Sequence, residues 1–314
     1  MKIKRIQKKL PTAPIVPKSF CIYTDTDSIF EPLEPIFVHR HGPMEDYTDE
    51  QIIERCKLII SDVQSFVNKS YDKYAKKFHC VDKHFWDIKQ ELISKRAFWV
   101  GKYNPKTKQF EGVKKRYAMW NVDAEGHAVD EMDVKGLDVV RSNFPQRFRS
   151  FMTELLEDIL HDAKKDDLNE KVRQFKSVLE QVDMYQTMLP TGVKDIEKWE
   201  TGVLGKRVKG TPAHVKAAMN YNDMLKMNNI IDVPPITDGE KVVWAYIRPN
   251  QYGFESMALK GFEDPDILVK FVSDHIDRTQ IFERALKKKI SNFWLSLGWG
   301  EIIMNDLSNK FFKF

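Results

Sequence analysis

Two aspartates one residue apart, Asp25 and Asp27 in the run Tyr23-Thr24-Asp25-Thr26-Asp27-Ser28, have the type and spacing that suit metal-assisted chemistry. On extended chain, side chains at i and i+2 project to the same side. At a hairpin tip, one carboxylate of such a pair can face a divalent cation while the other organises its surroundings. Phosphoryl transfer uses this arrangement: two divalent ions roughly 3.5–4 Å apart activate the attacking hydroxyl and stabilise the leaving oxygen, and bridging carboxylates hold them. The plainer alternative is an Asp-rich surface turn. Lysine and arginine concentrate in residues 95–115 and again in 206–216, interleaved with aromatic or small residues, as on duplex-contacting surfaces.

The elements that must position these residues read as follows. Apolar Phe20, Cys21, Ile22 and Tyr23, a polar tip over residues 24–27, then Ile29 and Phe30 predict a β-hairpin. A long helix is expected from Thr48 to about residue 78: Thr48 and Gln51 form a capping-box pattern, and Ile52, Cys56, Ile59, Val63, Phe66 and Val67 recur at helical spacing. Strand-like runs over 92–103 and 114–122, separated by Asn104-Pro105-Lys106, suggest a second hairpin. From Pro145 the pattern turns helical, with Phe148, Met152, Leu155, Leu156 and Ile159 on one face, then Val172, Phe175, Leu179 and Val182. Residues 189–209 read as a loop-rich crossing before a helix opening at Thr211-Pro212. One strand is expected over 242–247, and two more helices from about Asp264 and Asp277. The fold class is α+β, with a lobe boundary near residue 140.

Composition narrows the function classes. With 314 residues, 42% hydrophobic and 12% aromatic, the chain can build one or two real cores and is not a disordered tail. No apolar run approaches the eighteen residues a membrane span needs, so no membrane partner is expected. The first ten residues are basic but no apolar stretch follows, which argues against a secretory signal. Three dispersed cysteines, Cys21, Cys56 and Cys80, fit neither a disulfide framework nor a zinc site and suit a reducing cytoplasm. The net charge of +4 is too small to decide nucleic-acid binding by itself.

The Tyr23–Ser28 hexapeptide resembles motif C of the family B DNA polymerases, whose pattern is Tyr-x-Asp-Thr-Asp-Ser. That resemblance implies a direct metal-ligand role for Asp27 and a tuning role for Asp25, with two Mg2+ ions as cofactor and primer–template DNA and dNTP as partners. Lys114-Lys115-Arg116-Tyr117 resembles the family's Lys-x-Tyr element. Its cations would neutralise phosphates near the primer end and its tyrosine hydroxyl would hold the backbone in register, with Lys115 close to the metal site. Glu91 is similar in place to a further acid near the metals, and Asp123 to an acid orienting the basic strand, unless both are ordinary exposed acids. Residues 135–141, including Arg141, resemble the passage from palm to thumb.

The run from Lys206 to Lys216 resembles the thumb of T-even-type phage polymerases. There Lys206, Lys209, His214 and Lys216, beside a helix N-terminus, are candidate phosphate contacts, or else form a solvated basic loop. The last residues, with Leu307, Phe311, Phe312 and Phe314, are similar to an apolar tail that docks on a sliding clamp, unless the rings fold back onto the last helix.

The implied organisation is a basic leader (1–19), the C-terminal part of a palm (20–140), a thumb (141–303) and a clamp-binding tail (304–314). The family's first metal aspartate, nucleotide-binding helix and exonuclease are not found. The chain is therefore expected to act as the C-terminal subunit or fragment of a split polymerase, inactive alone and completed by an N-terminal subunit or segment, in the cytoplasm of an infected bacterium. The start at Met1 with a basic leader favours a split gene. Two other readings stay open: a non-catalytic DNA- or clamp-binding module with relic aspartates, and a metal-dependent nuclease, which would need further carboxylates.

Overall fold

The computed structural model describes residues 21–25, 27–79, 82–104 and 106–304, so the expected leader and the candidate clamp residues Leu307, Phe311, Phe312 and Phe314 lie outside the described residues. The architecture is α+β. Two compact units form: residues 1–98 with 118–133, and residues 99–117 with 134–314.

The first unit opens with strands β1 (Tyr23–Asp25) and β2 (Ser28–Phe30), antiparallel with Tyr23 opposite Phe30 and Asp25 opposite Ser28. Helix α1 (Glu34–His41) follows. Helix α2 (Asp49–Tyr74) starts where the capping box places it: Thr48 N–H donates to Gln51 Oε1 at 3.1 Å, and Gln51 N–H donates to Thr48 Oγ1 at 3.4 Å. It ends in a π turn over Ala75–His79. Phe37, Cys56, Ile59 and Ile93 form the core of this unit, with Ile52 and Val122 against it. Phe66, expected on the same stripe, is instead exposed.

The expected second hairpin is more elaborate than the sequence reading. Strand β3 (Leu92–Trp99) ends at Trp99, and the Asn104 turn belongs to a smaller hairpin of β4 (Lys102–Asn104) with β5 (Gln109–Glu111). Strand β6 (Tyr117–Ala124) lies between β3 and β7 (His127–Lys135), a strand the sequence reading missed. Glu125 (φ 50°) and Gly126 (φ 90°) form the two-residue loop joining β6 to β7, the left-handed pair a tight hairpin requires. Lys114 and Lys115 were expected inside a strand. They sit in the turn that precedes β6.

In the second unit, α3 (Gln146–Leu160) buries Phe148, Phe151, Met152, Leu155 and Leu156, as its periodicity predicts. It packs on α4 (Lys165–Val178), with the Phe151 and Phe175 rings stacked 3.8 Å apart. The expected crossing at 189 begins with a strand, β8 (Leu189–Gly192). Helix α5 (Ala213–Met227) is followed by β9 (Lys241–Tyr246) and β10 (Ser256–Leu259), giving an antiparallel sheet in the order β10-β9-β8. Pro190 is tolerated because β8 is an edge strand. This half is thus not purely helical. Helices α6 (Asp266–His275) and α7 (Lys288–Ser296) close the unit, and Trp294 Nε1–H donates to Asn169 Oδ1 at 2.9 Å, pinning α7 to α4.

Candidate nucleic-acid interface

The basic turn Lys114-Lys115-Arg116-Tyr117 is built by a close backbone approach. Lys114 and Lys115 are exposed, and Lys115 has a left-handed backbone (φ 59°). Opposite it, Gly136 (φ 64°) comes so near that an added Cβ would lie 3.1 Å from the Lys115 carbonyl carbon and overlap its oxygen. Only glycine fits there. Residues 135–141 therefore cradle the basic turn.

The next residue along the turn faces inward. Arg116 reaches Asp138, which is buried, with Nη2 3.9 Å from Oδ2, while Lys289 and Arg141 approach Oδ1 at 3.0 and 3.7 Å. Three cations share one carboxylate. Burial pushes the Arg116 guanidinium pKa down and Asp138 opposes that shift, and arginine remains a cation throughout. Arg116 Nε is buried with no hydrogen-bond partner among the described residues. The surplus of positive charge, with Arg141 half exposed, suits an anion arriving from outside. Lys289 on α7 was missed from the sequence, where it sits unremarked in Lys287-Lys288-Lys289.

Tyr117 was expected to offer its hydroxyl to a DNA backbone, but its side chain is buried, its ring 6.2 Å from Trp99. Asp123 likewise has a different place from the one expected. It is fully buried in the first unit, with Lys57 Nζ 2.9 Å from Oδ2, and Gln90 Nε2–H and the Gly126 N–H donating to Oδ1 at 2.6 and 2.9 Å. Lys57 approaches off the hydrogen-bonding direction, so charge attraction carries that contact. Burial alone would raise the Asp123 pKa, but Lys57 and the Gly126 amide outweigh it and hold the carboxyl below its ordinary value. Asp123 thus fixes the β6–β7 turn instead of meeting a ligand. Glu91 is exposed at the head of β3, and its carbonyl accepts from Glu125 N–H at 2.8 Å.

Before α5, the second basic run is stapled to the helix by Arg207. Its Nη2 donates to Asp223 Oδ2 at 2.6 Å and to Asn220 Oδ1 at 2.9 Å, and Gly205 N–H adds a third bond to Asp223 at 2.9 Å. This leaves Lys206 and Lys209 exposed on a fixed loop. Lys216 is 3.0 Å from Glu255, and His214, half-buried near Trp244, is held below the usual imidazole pKa by burial. A neutral His214 is a poor phosphate contact. The lysines are better ones.

Among the described residues the acidic hairpin is a two-stranded sheet. Asp25 closes β1 half-buried, its carbonyl accepting from Ser28 Oγ–H at 3.0 Å, and Asp27 is exposed in the turn. The Tyr23 and Phe30 rings meet at 5.2 Å, while Ile22 and Ile29 stay exposed.

Residues 112–294 match the family model for DNA polymerase family B. The chain belongs to the family B DNA polymerases. The matched stretch takes in the basic turn, Gly136, the Asp138 cluster with Lys289, and the Arg207 loop. No curated protein matches the chain. The activity that goes with a family B polymerase is DNA-directed DNA synthesis, with template–primer DNA and dNTP as ligands and Mg2+ in general use. Asp25 and Asp27 are the hard oxygen donors Mg2+ takes. Among the described residues no three or more His, Cys, Asp or Glu side chains group to hold a metal. No helix among the described residues is long and apolar enough to cross a membrane.

Proposed function

We infer that this chain is the C-terminal part of a family B DNA polymerase of T-even phage type, active only when an upstream chain or segment completes it. The observation that carries this reading is the acidic hairpin. A solvent-facing Asp27 and a half-buried Asp25 sit on a hairpin paired to no other described strand, with exposed Ile22 and Ile29 beside them. A sheet so small is marginal in water and calls for further strands. An upstream palm would add those strands and the missing aspartate.

In this reading the hairpin, Glu91 and the sheet of β3, β6 and β7 form the palm remainder, and residues from about 141 form the thumb. Asp27 binds Mg2+ directly, Asp25 tunes its surroundings, and Lys115 lies beside the reacting phosphates. The cations around Asp138 together with Lys114, Lys206, Lys209 and Lys216 grip the primer–template backbone. The tail with Leu307, Phe311, Phe312 and Phe314 meets a sliding clamp, and the complex works in the cytoplasm of an infected bacterium.

The test is primer extension by this chain co-purified with the upstream polypeptide. Asp27→Ala is expected to lower the rate about 1000-fold, the scale of several kcal/mol for a metal-bound carboxylate. Unchanged extension would show the aspartates to be relics and the chain a non-catalytic DNA- or clamp-binding module.

A further inference from the structure

The end of α2 carries a concentration of rings that the polymerase reading does not use. Tyr74 lies 4.7 Å from Phe78, 5.5 Å from His79 and 6.1 Å from Trp86, ring centre to ring centre. Trp86 also meets Tyr71 at 6.3 Å and His84 at 5.2 Å. These rings do not form a core. Tyr74, Phe78 and Trp86 are 50, 60 and 44% exposed, and Phe85 is fully exposed.

Local structure explains why the rings gather. The π turn over Ala75–His79 adds a residue to the helical turn, which widens the end of α2 and fans Phe78 and His79 outward. The returning segment is clamped to the helix by Asn68, which accepts from Ile88 N–H at 2.8 Å and donates to Asp87 Oδ1 at 2.8 Å. His84 adds a second clamp: Nδ1 accepts from Trp86 N–H at 3.1 Å, leaving Nε2 to donate to Asp72 Oδ1 at 3.0 Å. The platform is held before any ligand arrives.

Its charge says what covers it. Residues 69–89 carry six lysines against three aspartates. Lys69, Lys73, Lys77 and Lys83 make no ion pair among the described residues, and Lys77 Nζ stands 5.2 Å from the Phe78 ring centre. Protein-binding surfaces enrich aromatic residues but deplete lysine. Open rings flanked by unpaired lysines are instead the pattern of single-strand binders, where bases stack on rings and cations follow the phosphates. We propose that this aromatic and lysine face at the end of α2 is a stacking platform for single-stranded nucleic acid. It needs only the family's handling of DNA and not the catalytic role of Asp27, so primer extension surviving Asp27→Ala would leave it standing.

The test uses the full chain and fluorescence anisotropy with two labelled probes, a twelve-nucleotide oligothymidylate and a blunt hairpin duplex. Phe78→Ala and Phe85→Ala remove exposed rings that support no core, and each is expected to weaken single-strand binding about 5- to 100-fold while duplex affinity holds. A separate variant, Lys73→Ala with Lys77→Ala and Lys83→Ala, should flatten the log–log salt dependence of single-strand binding by about 2. Single-strand binding that matches the parent in all three variants overturns the proposal. So does a parallel loss on both probes, and so does intact single-strand binding with lost affinity for the upstream polypeptide, which would make the face a protein-docking surface.

Discussion

Replacing Gly136 by alanine separates two costs that usually come together. The residue has φ 64°, and Gly253 in the same unit has φ 68° with nothing within 4 Å of an added Cβ. Alanine at either site pays about 1 kcal/mol for the left-handed backbone. At Gly136 the Cβ also meets the backbone of Lys115, which cannot swing aside as a flexible side chain would. Such overpacking adds about 1–3 kcal/mol. Urea denaturation followed by tryptophan fluorescence should therefore give a loss of about 2–4 kcal/mol for Gly136→Ala and about 1 kcal/mol for Gly253→Ala, with m unchanged. The first variant should also weaken primer–template binding, because the turn carrying Lys114 and Lys115 must move. Equal losses for the two variants, within about 0.5 kcal/mol, would refute the cradle.

Further expectations follow from the buried charges. Asp123→Asn turns an amide toward Lys57 and should cost about 2 kcal/mol by thermal or urea melting. Because the folded pKa of Asp123 lies below its unfolded value, its stabilisation is complete above about pH 4 and fades as pH falls through the folded value, so the variant should flatten the acid limb only. His214 is also depressed, so stability should decline as pH drops below about 6.5, and His214→Asn should remove that decline. Arg207→Met strands buried Asp223 and should cost about 3 kcal/mol, with most of it recovered in the double variant Arg207→Met with Asp223→Leu.

The legible parts of the fold were those whose signal is local. The capping box at Thr48 announced α2 because both of its partners lie within one turn, and the stripe of α3 showed its buried face directly. Strand β7 was missed because His127–Lys135 carries four charged residues among nine, is more than half exposed and shows no apolar alternation, although Glu125-Gly126 is a turn signal. Strand β10, four buried residues in a row, has no period to distinguish it. At the site, residue types pointed to the basic turn. The roles of Tyr117 and Asp123 depend on burial by partners such as Trp99 and Lys57, which lie 18 and 66 positions away, and Lys289 reaches Asp138 across 151 positions, a distance no local pattern spans.

The polypeptide passes from one compact unit to the other after residues 98, 117 and 133. Cutting any one of these connections leaves two still joined, so a single protease nick should release neither body. The same threading constrains inheritance: a recombination event that exchanges one contiguous block of the gene cannot replace either unit whole without also replacing part of the other. A block with one junction between the basic turn and Gly136 and the other outside residues 114–136 brings in a foreign basic turn without the glycine that makes room for it, or the glycine without the turn.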